Sequence, residues 1–152
     1  MRWSPEDREF RLDDNALFSG LDGEALALVL PAFRVTTYPA GAQLYARGRV
    51  ADRLLLVVTG SVAVVQRSGG VQTTIAVLGP GEFTGERALL QPPALHPWTA
   101  ICREETQIGF ADGDAVLAAL TAQPAIGVNV VRALQRRVRD ASRAIDGLIA
   151  GA

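Results

Sequence analysis

The residues with the clearest chemical potential lie in one glycine-rich segment, Gly79–Leu90 (GPGEFTGERALL). The segment has too many glycines for a regular strand and ends in a run compatible with a short helix. A glycine directly before a helix lets a ligand approach the backbone, and the exposed N–H groups there favour an anion. Glu86, at the helix start, could accept hydrogen bonds from a ribose or another hydroxyl. The alternative is a plain glycine turn followed by a helix with an acid in its first turn, and glycine-rich spacing alone favours that alternative.

The composition removes several kinds of chemistry. All fifteen basic residues are arginines, so a lysine nucleophile, a Schiff base and the lysine of a Walker-type phosphate loop are excluded. The single cysteine, Cys102, and the single histidine, His96, are too few for a cysteine/histidine zinc site or a four-cysteine iron–sulfur cluster within one chain. A hydrolytic triad would have to use His96, and no spacing supports one. We therefore expect no catalytic residues, no metal site and no enzymatic activity.

Charge and hydropathy are those of an ordinary folded domain. The 152 residues carry a net charge of −1, and 49% of them are hydrophobic. This predicts a packed core and gives no general attraction to nucleic acid or to an anionic membrane. Residues 1–10 lack the apolar stretch of a signal peptide, and aliphatic runs such as Leu54–Val58 are too short to span a bilayer. We expect a cytoplasmic protein that does not contact a membrane.

The elements that must position the glycine-rich segment begin with N-terminal helices. Ser4-Pro5-Glu6-Asp7 starts one helix, with a capping hydroxyl, a proline at the first helical position and acids near the helix start. Asp22 is the candidate N-cap of a second, short helix that Pro31 closes. The apolar face of this second helix contains Leu26, Val29 and Leu30.

The middle of the chain is predicted to form short strands separated by glycine turns. Such regular punctuation is typical of a β-sandwich, barrel or roll, and the absence of a strand–helix–strand alternation argues against a doubly wound nucleotide fold. The β-branched or apolar stretches are Arg34–Thr37, Gln43–Ala46, Leu54–Thr59, Ser61–Gln66, Thr73–Leu78, Thr99–Cys102 and Gln107–Phe110.

One long helix is predicted from about Pro124 to about Leu148. Six of its apolar residues follow the alternating three- and four-residue spacing of a coiled-coil seam: Val131, Leu134, Val138, Ala141, Ile145 and Leu148. Fewer than three heptads are short for an independent coiled coil, so a helix packed along its own β-domain is an equal alternative. Five arginines spread around most of the helix, a pattern that a solvated face produces as readily as a nucleic-acid patch: Arg132, Arg136, Arg137, Arg139 and Arg143.

The order of the motifs resembles the cyclic-nucleotide-binding domain family, which includes the Crp/Fnr regulators, cyclic-nucleotide-gated channels and regulatory subunits of protein kinase A. The resemblance covers about Ala16 to Leu148, and it is the ordered set rather than any single piece that is specific. In chain order the matching residues are Leu17-Phe18-Ser19-Gly20-Leu21, Tyr38-Pro39-Ala40-Gly41, Leu44, Gly48, Ala51-Asp52-Arg53-Leu54, Val57-Val58-Thr59-Gly60-Ser61-Val62, Gly79-Pro80-Gly81-Glu82-Phe83-Thr84-Gly85-Glu86 and Trp98-Thr99-Ala100.

The resemblance implies a mainly β fold, a double-stranded, jelly-roll-like β-roll with N-terminal helices and a long C-terminal helix. Residues 1–31 would form the N-terminal helices, 32–111 the roll with a short helix near 85–90, and 112–152 the C-terminal helices, as one domain. In the family's pocket Gly85 and Glu86 hold the ribose, Glu86 through the 2′-hydroxyl. Backbone N–H groups near Arg87 and Ala88 face the cyclic phosphate, and Thr99 offers a hydroxyl beside it.

One departure from the family's pattern matters for phosphate binding. Nucleotide-binding members place an arginine before the Ser/Thr-Ala pair to neutralise the phosphate, but Trp98 stands there and no arginine lies between Arg87 and Arg103. A charge-assisted hydrogen bond is worth about 1.5–3 kcal/mol, so its loss weakens binding by about one to two decades.

Each of three side chains near this position has two alternative roles. Arg87 could turn inward to supply the missing charge, although a solvated arginine is the commoner case. Trp98 could stack on a ligand ring or fill the vacated space. His96 could carry a charge at mildly acidic pH, although a histidine before a proline is more often a loop residue than a ligand-binding residue.

Two functions follow from these observations. The first is a non-enzymatic sensor or regulatory domain in signal transduction or transcription regulation, with weakened or altered binding of cyclic AMP or cyclic GMP and no required cofactor. The second is an interaction module that keeps the roll and has lost the ligand. In both, a homodimer through the last helix is expected, with a protein partner unspecified and no direct nucleic-acid binding, because the family's DNA-reading helix-turn-helix is not in this sequence.

Overall fold

Eight strands form two four-stranded antiparallel sheets in the computed structural model, which describes residues 12–90, 92 and 94–150. The strand order is β1–β8–β3–β6 in the first sheet and β2–β7–β4–β5 in the second. The strands are β1 Arg34–Tyr38, β2 Gln43–Tyr45, β3 Arg53–Thr59, β4 Val62–Ser68, β5 Val71–Leu78, β6 Phe83–Thr84, β7 Thr99–Cys102 and β8 Thr106–Asp112.

Helices flank this roll at both ends of the described chain. The α-helices are α1 Gly23–Val29, α2 Gly113–Ala122 and α3 Ala125–Ala150, and the 3₁₀-helices are Leu12–Asp14, Ala16–Phe18, Leu30–Ala32 and Glu86–Leu89. The predicted β-roll with flanking helices and a long C-terminal helix is thereby confirmed. Each predicted strand stretch coincides with an observed strand to within about two residues at either end. The two-residue strand β6 was not predicted, because it is short and lies between glycines.

Strand β3 lies at the centre of the molecule, and its consecutive aliphatic residues serve two cores. Leu55 and Val57 face the second sheet and pack in the core between the sheets. Leu54, Leu56 and Val58 face the opposite way, into a core that the helices cover. A strand buried on both faces reads as an unbroken apolar run, which explains the sequence from Leu54 to Val58.

Helix α1 begins and ends where the sequence predicts. The Asp22 side chain accepts a hydrogen bond from the backbone N–H of Ala25 at 2.8 Å, which makes it the N-cap. The helix ends at Val29, and Pro31 lies in the 3₁₀ turn that follows. Val29 and Leu30 are buried, and Leu26 packs partly buried against the same core. The predicted helix start at Ser4–Asp7 lies outside the described residues.

Helix α3 packs along the domain through a face that the coiled-coil pattern does not include. Ile126, Val130 and Ala133 are buried in the helix-covered core. Beside them the Asn129 amide donates hydrogen bonds to the carbonyls of Leu17 and Ser19, each at 2.8 Å. This face therefore fastens α3 to the N-terminal 3₁₀-helices.

The six seam residues of α3 are exposed. Their larger side chains range from 37% exposed at Leu134 to 76% at Leu148, and Ala141 is exposed as well. The sequence left open whether α3 packs on its own domain or forms a coiled coil with another helix. The helix does pack on the domain, but through residues outside the seam, so the seam has no partner within the described part of this chain.

Among the described residues no single helix is long and apolar enough to cross a membrane, and α2 and α3 meet that test only as a pair bent by 116°.

Candidate functional site

The glycine-rich segment folds into a sharp corner beside strand β3. Phe83 and Thr84 form β6 and pair with Leu56 and Leu55, and the 3₁₀-helix Glu86–Leu89 follows at once. Gly85 joins the two with a φ of +86°, in the left-handed region that favours glycine. A Cβ atom at Gly85 would lie 2.5 Å from the carbonyl oxygen of Arg53. Both the turn and the close approach to β3 therefore require glycine at this position.

An ion pair from α3 occupies this corner. The Arg137 guanidinium donates from Nη1 to Oε1 of Glu86 at 2.8 Å. Its Nη2 donates to the carbonyl oxygen of Phe83, and its Cζ lies 5.4 Å from the centroid of the Phe83 ring. The side chains are 37% and 23% exposed at Arg137 and Glu86, so both are partly shielded from water. The C-terminal helix is thus attached directly to the carboxylate that the sequence singled out.

The two residues after Glu86 differ in environment. Arg87 is exposed, so its side chain does not turn into the corner. Ala88 is buried, and its backbone N–H donates to the carbonyl of Gly85 at 3.0 Å. This amide is therefore used inside the turn. The start of α2 closes over it, because Gly113 lies so close to the Ala88 carbonyl that any Cβ there would collide with it.

Trp98 and Thr99 lie on the second sheet, at the start of β7. Trp98 is partly buried and packs against the core between the sheets, together with Tyr45 and Phe110. Thr99 is buried, and its hydroxyl oxygen accepts a hydrogen bond from the backbone N–H of Arg47 at 3.2 Å. The indole therefore fills space at the edge of the core between the sheets.

Tyr45 and His96 form an aromatic stack next to the corner. The phenol of Tyr45 shares a hydrogen bond of 2.7 Å with the hydroxyl of Thr84, the residue before Gly85. The His96 imidazole stacks on the Tyr45 ring, with centroids 3.9 Å apart and planes 9° from parallel. Burial raises the pKa of Tyr45, and the nearby Glu86 carboxylate raises it further against the opposing effects of Thr84 and Arg137.

His96 is 6% exposed, which is unusual for a residue of a proline-rich loop. Burial lowers the pKa of its imidazole, since the charged form loses hydration, and Arg87 lowers it as well. Asp52 and Glu86 oppose this by favouring the charged form. The net effect is a pKa below the ordinary value for histidine. Its backbone is held by hydrogen bonds to Arg49 and Gly48, at 2.8 and 2.9 Å.

The structure thus brings together Gly85, Glu86 and Ala88, while Arg87 points to solvent. Arg137 was not predicted as a site residue, because it is one of five arginines spread around most of the helix. A signal was present, because the buried residues Ile126, Val130 and Ala133 continue at helical spacing to Arg137. Tyr45 was also missed. No local pattern marks it, because its contact to Thr84 joins residues 39 positions apart.

Comparison with known proteins decides the family. The sequence profile of the cyclic nucleotide-binding domain matches residues 35–123, more than half of the chain. The chain belongs to the cyclic-nucleotide-binding domain family. Its match includes both sheets from β1 onward, the Gly85–Glu86 corner and helix α2.

The chain is similar to Crp-like members of this family. It is 33% identical over 131 residues to the cyclic AMP receptor protein of Thermus thermophilus, covering 86% of this chain and 60% of that protein. It is 27% identical over 135 residues to a CRP-like cAMP-activated global transcriptional regulator of Mycobacterium tuberculosis, covering 88% of this chain and 59% of that one. The chain therefore spans about three-fifths of the length of these relatives.

This chain is also similar to a solved structure. The crystal structure of the Thermus thermophilus catabolite activator protein matches with a TM-score of 0.77 and 32% identity. The match covers 88% of this chain and 63% of that one. The cyclic-nucleotide-binding fold is accordingly shared along nearly all of this domain.

Proposed function

We propose that this domain is a non-enzymatic cyclic-nucleotide sensor that passes the state of its pocket to helix α3. The observation that carries the proposal is the ion pair between Glu86 and Arg137. In the family pattern Glu86 is the ribose-binding carboxylate, and Arg137 belongs to the helix that leads away from the roll. In this proposal the Glu86 carboxylate binds the ribose, and the same carboxylate pairs with Arg137 of helix α3.

The contacts of the Glu86–Arg137 pair provide a route from the ligand to helix α3. Arg137 binds one carboxylate oxygen of Glu86, at 2.8 Å, and its second nitrogen holds the Phe83 carbonyl. A ribose hydroxyl that donates to Glu86 either shares the carboxylate with Arg137 or displaces it. In each case the ligand changes the free energy of one position of α3 relative to another, which is the requirement for a population shift.

We propose that the affinity for cyclic AMP or cyclic GMP is weakened relative to arginine-containing members. The family pattern aligns Trp98 with the phosphate-binding arginine of those members, and the indole packs partly buried against the core between the sheets. The exposed Arg87 supplies no replacement in the described structure. The proposed ligands are cyclic nucleotides because the relatives named above are a cyclic AMP receptor protein and a cAMP-activated regulator.

We further propose a homodimer through the exposed seam of α3. The seam presents five large apolar side chains with no partner among the described residues, and water-exposed apolar stripes of this kind are typical of helix pairing. The chain would then act in the cytoplasm as a regulatory module. An interaction module without a ligand is the second candidate, and Trp98 is the observation that favours it.

Calorimetric titration with cyclic AMP and cyclic GMP tests the sensor, and is carried out at pH 7.5 and pH 6.0. Saturable binding that Glu86→Ala abolishes supports the proposal. Glu105→Ala is the matched control, because Glu105 is an exposed acid in the turn between β7 and β8 and its removal should leave binding unchanged. Absence of binding at both pH values would favour the ligand-free interaction module.

A further inference from the structure

The pocket region contains one buried base that neither the family pattern nor the comparisons assign. His96 is 6% exposed, and its ring is fixed by the stack on Tyr45. Within residues 12–90, 92 and 94–150 its imidazole takes part in no hydrogen bond, and its ring nitrogens retain contact with solvent. Because a neutral imidazole has one hydrogen-bond donor and one acceptor, it is available to bind a polar group beside it.

The position of His96 connects it to the ligand corner. It stacks on Tyr45, whose hydroxyl is bonded to Thr84, and Thr84 directly precedes Gly85. Glu86 and Arg87, in the 3₁₀-helix after the corner, are both close enough to change its pKa. The imidazole therefore lies beside the residues that would enclose a ribose phosphate.

The other cations near the corner are already engaged or face away. Both terminal nitrogens of Arg137 are used, one by Glu86 and one by the Phe83 carbonyl. Arg53 pairs with Asp52 at 3.8 Å and lies over the Phe110 ring. Arg87 is exposed. His96, by contrast, lies beside the corner with an imidazole that can gain a positive charge and donate a hydrogen bond.

We infer that His96 takes the place of the family's arginine as the group that binds the ligand phosphate, so that cyclic-nucleotide binding takes up one proton. The inference rests on the proposed function. The proton comes from solvent and goes to the unpartnered imidazole, and the imidazolium then donates a hydrogen bond to a phosphate oxygen. No covalent bond forms or breaks in the nucleotide.

The charges around His96 define the direction of the pH effect. Asp52, before β3, and Glu86 favour the imidazolium, whereas Arg87 and burial favour the neutral ring, and the uncharged Tyr45 covers one face. A bound phosphate adds a further anion and raises the pKa of His96. Affinity is therefore expected to increase as pH falls, by up to about tenfold per pH unit between the free and bound pKa values.

Nuclear magnetic resonance tests this directly, because the chain has a single histidine. With a purification tag that lacks histidine, the imidazole Cε1–Hε1 signal is followed from acid to mildly alkaline pH, first free and then with saturating cyclic AMP. The nucleotide should raise the pKa of His96. Adenosine has the same base and ribose without the phosphate, and should leave the pKa unchanged. An unchanged pKa at saturation with cyclic AMP overturns the inference.

Calorimetry across the same pH range provides the second readout. Wild-type affinity for cyclic AMP should rise with acidification, whereas His96→Phe, which keeps a stacking ring, should give a flat and weaker profile. His96→Gln serves the same purpose if the phenylalanine variant does not fold. A wild-type profile as flat as that of His96→Phe contradicts the role of His96 but leaves the sensor function standing. No saturable binding at any pH overturns the sensor function as well.

Discussion

Replacing Arg137 with methionine tests whether the Glu86–Arg137 pair holds α3 against the roll. Methionine keeps an unbranched, apolar side chain and removes the guanidinium. The change deletes the hydrogen bond of 2.8 Å to Glu86, the bond to the Phe83 carbonyl and the cation above the Phe83 ring. It also leaves the Glu86 carboxylate partly buried without its partner.

The magnitude follows from the exposure of the pair. A hydrogen bond to a charged group is worth about 1.5–3 kcal/mol when shielded, and a surface ion pair is worth about 0–1 kcal/mol. With side chains 37% and 23% exposed, the pair lies between these limits, so we expect a loss of about 1–2 kcal/mol. At about 2–4 °C per kcal/mol for a chain of this size, Tm should fall by about 2–8 °C.

Thermal unfolding followed by circular dichroism measures this loss. Arg136→Met is the matched control, because Arg136 is the exposed neighbour on the same helix and surface substitutions change stability by about 0.5 kcal/mol or less. A double-mutant cycle with Glu86→Gln isolates the pair, with an expected coupling of about 0.5–2 kcal/mol. Equal Tm values for Arg137→Met and Arg136→Met, or an additive cycle, would refute the structural role of the pair.

Three further predictions test other parts of the molecule. Trp98→Arg should strengthen cyclic AMP binding by about one to two decades, measured by calorimetry, whereas Trp98→Phe should not; equal affinities would show that position 98 does not face the phosphate. Burial depresses the pKa of His96 below its unfolded value, so the unfolded chain binds more protons and the free energy of unfolding should fall as pH drops below about 6.5, by up to about 1.4 kcal/mol per pH unit. Denaturant titrations of the ligand-free protein check this, and a slope that His96→Phe leaves unchanged would assign it to other groups. Leu134→Asp should convert a dimer to a monomer in sedimentation experiments without lowering Tm of the monomer, because Leu134 is 37% exposed in the single chain; a monomeric wild type would remove the proposed dimer.

The strands were predictable because their signals are local. Each predicted stretch is rich in β-branched or apolar residues, and most of them are bounded by glycine turns. Helix α1 was predictable for the same reason, since Asp22 caps a backbone amide only three residues away. Strand β6 was not, because two residues carry no periodic pattern and their pairing is set by β3.

The sequence alone determined the strands and helices, the order of the motifs along the chain and the turn at Gly85. These follow from contacts within a few residues and from backbone conformations that few residue types adopt. The tertiary structure decided which charged and aromatic groups meet there. Arg137 reaches Glu86 across 51 positions, and His96 stacks on Tyr45, which lies far from it in the sequence. Such contacts depend on how the helix and the sheets pack, because helical spacing places Arg137 on the buried face of α3 but does not say which carboxylate that face meets.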